Sequence, residues 1–207
     1  YLYHWPNGRE ALIFSRENGA YEFRENVNEQ ITLSNRTPDN KLYLVSSNDW
    51  NLPQTENAYK WFLEKLTFLM EEAPATSETV AQIVSGDEKK ARILKELLLA
   101  DLGISDVTVK NISGKAPVIT TTHRVIGADG SVEHFQFLMD QESSGTQRFF
   151  SRIGGWLQAL ENGALLVVDE IEDSLHPLLT KRLIEMVQDN TINTEGAQLL
   201  FTTHDAM

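Results

Sequence analysis

The chain of 207 residues contains no cysteine. That excludes disulfides and thiolate metal centres, leaves stability to packing, and leaves oxygen and imidazole as the strong metal donors. No stretch approaches the roughly 18 consecutive apolar residues that a membrane-spanning helix needs. The opening YLYHWPNGRE has no basic segment leading into an apolar one, as a secretion signal would. The expected location is the cytoplasm, with no membrane partner. Basic residues are also scarce: 18 Lys and Arg stand against 30 Asp and Glu, for a net charge of −12. The shortage is greatest in residues 161–207, with 2 basic and 9 acidic side chains, against 9 and 9 in 81–160 and 7 and 12 in 1–80. Phosphate backbones are held by clustered Lys and Arg, so nucleic-acid binding is not expected of this chain by itself. A divalent cation held by the acidic end stays open. Finally, no G-x-x-x-x-G-K-[ST] phosphate loop occurs: Gly114-Lys115 runs into Ala116-Pro117, without the upstream glycine or the hydroxyl.

What is present is 41% hydrophobic and 23% charged, the composition of a folded domain. REALIFSRENGAYEFRE alternates apolar and polar residues on both sides of Asn18-Gly19, a two-residue hairpin signal, and antiparallel strand is expected to about residue 33. KLYLVSS (41–47) predicts a further strand. TENAYKWFLEKLTFLMEE (55–72) predicts an amphipathic helix with Trp61, Phe62, Leu66, Leu69 and Met70 on one side, stopped by Pro74. A second helix is expected over 88–103 on Ile93, Leu94, Leu97 and Leu98, ended by Gly103, and residues 73–80 are the linker candidate. From 107, VTVKNI and the two arms around Asp129-Gly130 predict antiparallel strand.

After residue 141 the pattern changes. A helix (146–160) ends at Asn162-Gly163, the all-apolar strand ALLVVDE follows, Pro177 opens a second helix, and QLLFTTHD is a second apolar strand. A strand–helix–strand unit of short apolar strands predicts a parallel sheet covered on both faces, with ligands at the carboxyl ends of its strands. The fold class expected is α/β, with an antiparallel, α+β-like first part: residues 1–140 form the antiparallel and helical region, and 141–207 the nucleotide-binding part.

Both strands carry their polar residues at that carboxyl end. Two carboxylates at the tip of a buried strand, Asp169 and Glu170, are costly without a compensating partner. A nucleotide-bound Mg²⁺ is such a partner, with Asp169 toward the metal and Glu170 orienting a water for attack on a γ-phosphate. His204 closes the second strand 34 residues beyond Glu170, the length of one turn, helix and strand, so adjacent strands would bring the two side chains together. Ser143, Ser144 and Gly145 begin a helix on small residues 25 positions before Glu170, leaving first-turn amides for a phosphate. Taken singly, these are an acidic turn, a capping histidine and an ordinary helix cap.

In combination they resemble the ATPase domains of the ABC superfamily, in the branch of SMC-like, OLD-type and phage-defence ATPases. The likeness covers about residues 141–207, with a looser similarity before them. Glu142-Ser143-Ser144-Gly145-Thr146 resembles the signature motif, which implies nucleotide contacts by Ser143, Ser144, Gly145 and Thr146 across a dimer interface. LLVVDE resembles Walker B, which implies Asp169 on the metal and Glu170 as catalytic base. EDSLHP resembles the D-loop of the OLD-like branch, through Asp173, Ser174, Leu175 and His176, and His204 resembles the switch histidine. The resemblance implies ATP and Mg²⁺ as cofactors, a homodimer or paired ATPase head, an effector nuclease among the partners, and nucleic acid as a partner of the complete protein only.

The departures are Ser144 and Thr146 where transporter-type members carry Gly and Gln, His176 where a D-loop Asp is common, and the missing phosphate loop. Both ends of the chain are expected to be truncated. Two other classes stay open at this point. One is a non-catalytic interaction module; the other is a metal nuclease using Asp169, Glu170, Glu172 and Asp173, against which strand alternation and the lack of a basic track both argue.

Overall fold

Between Ser143 and Gly163 the apolar residues Phe149, Phe150, Ile153, Trp156, Leu157 and Leu160 recur at i, i+1, i+4, i+7, i+8 and i+11, so a helix formed there has one broad apolar face to bury. A computed structural model of the chain describes residues 2–4, 10–69, 76–111 and 116–204 and divides it into two compact units, Tyr1–Lys65 and Leu66–Met207. The Gly114-Lys115 pair, Pro74 and Asp205 lie outside the described residues.

In the first unit, strand β1 (Leu2–His4) pairs antiparallel with β2 (Glu10–Leu12), and β3 (Phe14–Glu17) with β4 (Ala20–Phe23). Asn18 and Gly19 join the latter pair with φ of 49° and 83°, the two positive values that a tight hairpin turn of the expected type requires. Helices α1 (Val27–Asn35), α2 (Tyr43–Asp49) and α3 (Pro53–Glu64) complete the unit, around a core of Leu33, Tyr43 and Leu52 backed by Phe14, Tyr21 and Phe23.

Two expectations fail here for one reason. The strand expected to residue 33 stops at Phe23, and α1 buries Gln30 and Leu33, one helical turn apart; Gln30 Nε2 donates to the carbonyls of Ile13 (3.1 Å) and Glu25 (2.6 Å). The stretch 41–47 is mostly helix, not strand, and buries Tyr43, Ser46 and Ser47, spaced i, i+3, i+4. In both segments the buried face includes polar residues with partners inside the fold, so apolar periodicity does not report it.

In the second unit, β5 (Leu66–Leu69), α4 (Thr76–Ser85), α5 (Asp87–Leu99), β6 (Ile104–Lys110), β7 (Val118–Ile126) and β8 (Val132–Leu138) precede a 3-10 turn at Met139–Gln141. Then come α6 (Ser144–Asn162), β9 (Leu165–Val168), α7 (Pro177–Gln188) and β10 (Gln198–Phe201). The class is α/β as expected: a three-stranded parallel sheet ordered β10-β9-β5, a three-stranded antiparallel sheet ordered β6-β7-β8, and flanking helices.

The strand β5 corrects the helix expected over 55–72, which ends at Glu64. LTFL pairs residue for residue with LLVV, Leu66 to Leu165 through Leu69 to Val168, and that long-range pairing overrides the helical spacing of Leu66 and Leu69 with Trp61 and Phe62. The linker candidate fares likewise: residues 76–80 open α4.

The core of this unit is built on α6, whose Phe149, Phe150, Ile153 and Trp156 are fully buried among Leu166 and Val168 of β9, Leu183 and Met186 of α7, and Ile93 and Leu97 of α5. Each such side chain contributes about 1.5–3 kcal/mol on leaving water. Two adjacent glycines in mid-helix, Gly154 and Gly155, cost helix propensity of about 1 kcal/mol each. Close approach explains the first: a Cβ on Gly154 would lie 2.4 Å from Thr79 Cα of α4. There Thr79 Oγ1 donates to the Phe150 carbonyl (2.8 Å) and accepts from the Gly154 amide (3.0 Å), and Gln82 Nε2 donates to the Gly154 carbonyl (2.6 Å). The helix ends at Gly163, with φ 58°.

The backbone contact at Gly154 cannot yield as a flexible side chain would. Gly154→Ala should therefore destabilise the protein by about 1–3 kcal/mol despite the better helix propensity of alanine. Urea unfolding should show a lower midpoint at unchanged slope; a midpoint equal to that of the parent would mean that α4 does not pack on α6 in this way.

Candidate functional site

The parallel pairing of β9 with β10 in register, Leu165 to Gln198 through Val168 to Phe201, brings the two polar strand ends side by side. Thr202 closes the seam. Its amide donates to the Val168 carbonyl and its carbonyl accepts from the Ile171 amide, both at 3.1 Å; its hydroxyl accepts from the Glu170 amide (2.8 Å) and donates to Asp169 Oδ1. Glu170 sits in the left-handed backbone region at φ 47°, which is rare and strained for a residue with a side chain. The chain turns sharply there, and Glu170 Oε1 meets His204 Nε2 at 3.0 Å.

The pair is open to solvent, with 51% of the Glu170 side chain and 81% of the His204 side chain exposed. The hydrogen bond and charge of Glu170 raise the His204 pKa above the ordinary histidine value, with smaller help from Glu172 and Asp169. Glu172 acts on the same residue from the main-chain side: its Oε1 accepts from the His204 amide at 2.6 Å, and this bond, first among several, pulls the Glu172 carboxyl below its ordinary value.

The start of α6 is built separately. Ser143 is its N-cap, with Oγ accepting from the Thr146 amide (3.1 Å) and lying 2.8 Å from Thr146 Oγ1. One donor expected to be free is thus capped within the chain. Ser144 and Gly145 occupy the first two helical positions, where an amide has no intrahelical acceptor. A Cβ on Gly145 would meet only the Ser174 carbonyl at 3.5 Å and Ser143 Oγ at 3.9 Å, ordinary contacts, so nothing within the chain requires glycine there.

The 173–176 segment lies against this helix start, and each of its members has a task inside the chain. Asp173 pairs with Arg148 of α6, Ser174 Oγ donates to Asp173 Oδ1 (3.1 Å), Leu175 is buried in the core, and His176 caps α7 by accepting at Nδ1 from the Leu178 amide (3.3 Å). Arg152, buried one turn beyond Arg148, donates to the Ile171 carbonyl at 2.6 Å.

The structure therefore joins Glu170, His204 and Asp169 in one cluster and Ser143–Thr146 with 173–176 in another. Among the described residues no hydrogen bond or ion pair links Ser143, Ser144, Gly145 or Thr146 to Asp169, Glu170 or His204. Sequence reasoning missed Thr202 as the seam, Glu172 as the anchor of His204, and Arg148 and Arg152. The last two were visible as an i, i+4 arginine pair flanking Phe149 and Phe150 in the predicted helix.

As to a metal, no group of three or more His, Asp and Glu among the described residues is arranged to hold one. Glu172 is turned to the His204 amide and Asp173 to Arg148, so the four carboxylates of the nuclease alternative do not converge. One open carboxylate, Asp169, suits a Mg²⁺ that arrives with most of its ligands as waters and phosphates.

Residues 9–206 match the family described as "AAA domain, putative AbiEii toxin, Type IV TA system", and the chain belongs to that family, of the AAA/ABC-type P-loop ATPases. No curated protein and no solved structure matches it. Among the described residues no helix is long and apolar enough to cross a membrane.

Two outcomes follow from the geometry. Gly145→Ala should leave the unfolding midpoint within the range of a neutral surface change, about 0.5 kcal/mol, in contrast to Gly154→Ala; a larger loss would mean that the fold itself needs the glycine.

The second concerns charge. Because pairing raises the His204 pKa, its contribution to stability is full below the ordinary histidine pKa of about 6.5 and is lost as pH climbs through the raised value. Both groups are exposed, so that contribution is small. Glu170→Gln should lower the His204 pKa toward the ordinary value, measured by NMR titration of the ring; an unchanged titration would mean that the pair does not form in solution.

Proposed function

We propose that this AAA-family chain is the signature and hydrolysis part of a dimerising ATPase of the ABC type, in the branch of SMC-like and OLD-type proteins, acting in a phage-defence or abortive-infection system. The single observation that carries the reading is the Glu170–His204 pair at the carboxyl ends of adjacent parallel strands, where ligands of such sheets bind. The family's description as an AbiEii-like toxin of a toxin–antitoxin system supports the defence setting. An effector nuclease and nucleic acid are partners proposed for the complete protein.

ATP with Mg²⁺ would supply the γ-phosphoryl group and the cation that screens its charge. Asp169, with one oxygen committed to Thr202, offers the other to the water shell of the metal. Glu170, with Oε1 committed to His204, keeps Oε2 to accept a proton from the attacking water. His204, whose raised pKa favours the cation, donates to a terminal phosphate oxygen and registers its departure. Ser143, Ser144, Gly145 and Thr146 serve the site of a second copy, with helix amides that a phosphate can approach because Gly145 has no side chain. The solvent exposure of Glu170 and His204 supports that division: water has to be excluded by another surface before hydrolysis is efficient.

Glu170→Gln in the complete ATPase keeps shape and hydrogen bonding but removes the base. ATP binding should survive while steady-state turnover falls by about 10²- to 10⁴-fold, and the ATP-bound dimer should outlive that of the parent in sedimentation. Asp169→Asn should differ, weakening Mg²⁺-dependent nucleotide binding as well. Turnover of Glu170→Gln within about threefold of the parent would sink the catalytic assignment and favour a non-catalytic dimerisation module.

A further inference from the structure

Glu142 stands just before the helix cap, and its carboxylate is nearly buried: 9% of the side chain is exposed. It is held from a different sheet. On β7, two positions apart and so on the same face, Thr121 Oγ1 and His123 Nε2 both reach Glu142 Oε1, the imidazole at 2.8 Å. Thr121 is fully buried, and the His123 ring rests edge-on against Phe137 of β8 with centroids 5.3 Å apart. The main chain of Glu142 is tied as well, its amide donating to the Met139 carbonyl (3.3 Å) and its carbonyl accepting from Gln147 Nε2 (2.8 Å) in the first turn of α6. The next residue is the cap, Ser143.

A buried carboxylate is a poor way to gain stability, because desolvation offsets most of what its partners return, and an apolar contact of the same volume would do as well. It is a good way to fix direction, because hydrogen bonds act only over a narrow range of distance and angle. The arrangement fixes one point, the peptide that carries the exposed start of α6.

We propose that Glu142 is a positioning residue, gripped by Thr121 and His123, through which the antiparallel sheet β6–β7–β8 aims the start of α6 at the nucleotide of a second copy. This rests on the proposed function and adds to it a task for the antiparallel sheet. Release of the grip leaves nucleotide affinity alone, since Glu142 touches neither Asp169, Glu170 nor His204, and lowers turnover because the signature residues approach the phosphates loosely.

The test has two readouts. Hydrogen exchange of the peptide spanning 142–148 is measured on the chain itself for the parent, His123→Ala, His123→Gln and Thr121→Val, the last being nearly isosteric in case His123→Ala does not fold. The same variants, with Gly145→Arg as reference, are assayed for ATP turnover in the complete protein. Expected are exchange at 143–146 faster by about tenfold or more in His123→Ala and Thr121→Val, kcat lower by a similar factor at unchanged KM, and partial recovery of both in His123→Gln, whose amide still donates. Unchanged exchange in both Thr121→Val and His123→Ala overturns the grip. Faster exchange with unchanged kcat, while Gly145→Arg is inactive, overturns the positioning role and leaves the proposed function standing. Full turnover in Gly145→Arg overturns the proposed function instead, and the positioning role with it.

Discussion

The burial of α6 is the constraint on which residues 66–207 depend. Its apolar residues face β9, α5 and α7, while on the α4 side the helix backbone itself is the packing surface, at Gly154. A helix enclosed in this way has little freedom to rotate or slide, because interiors are packed too densely to absorb a register shift. Both of its ends are fixed as a result. The C-terminal end delivers the chain through Gly163 into β9 and hence to Asp169 and Glu170. The N-terminal end leaves Ser143 and Ser144 exposed, with Gly145 half-buried and Thr146 buried behind them. One rigid element thus carries one cluster at its start and feeds the other through the strand that follows it.

The parts of the fold that the sequence made legible were those whose buried residues are apolar or whose turns use special residues. The Asn18-Gly19 hairpin, the run from α6 through β10, and the antiparallel arms around Asp129-Gly130 all belong here. Illegible were the elements that bury polar side chains: α1 through Gln30, α2 through Ser46 and Ser47, and α4 through Thr79, which is fully buried and bonded to the α6 backbone. Pattern reasoning treats such residues as solvent-facing, yet Gln30, Ser47 and Thr79 have their partners inside the fold, those of Thr79 more than 70 residues along the chain. The strand β5 failed differently, since its four residues suit either structure and only pairing with β9, about 100 residues on, decides.

Within the candidate site, legibility divides along the same line. Asp169, Glu170 and His204 stand out because charge at the tip of an apolar strand is conspicuous. Their supports do not, because Thr202 and Glu172 work by bonds to main-chain amides that only the folded register brings within reach. The supports have their polar atoms turned toward the chain itself. By contrast Gly145 has a backbone position that alanine could fill, and Glu170 adopts a backbone conformation that its own side chain disfavours. Residues whose identity the fold does not explain are where a ligand or partner has to supply the explanation.

The left-handed backbone of Glu170 sets the interests of folding against those of the base proposed there, at a single residue. Holding a side chain there costs about 1 kcal/mol or more, which glycine would not incur. Selection for thermal stability alone would drift this position toward glycine, with asparagine as the next most tolerant choice. On the role proposed for Glu170, homologues or engineered descendants that have shed the acidic side chain there should be recognisable as retired copies, sturdier than their ancestor because they no longer hold a strained residue in place.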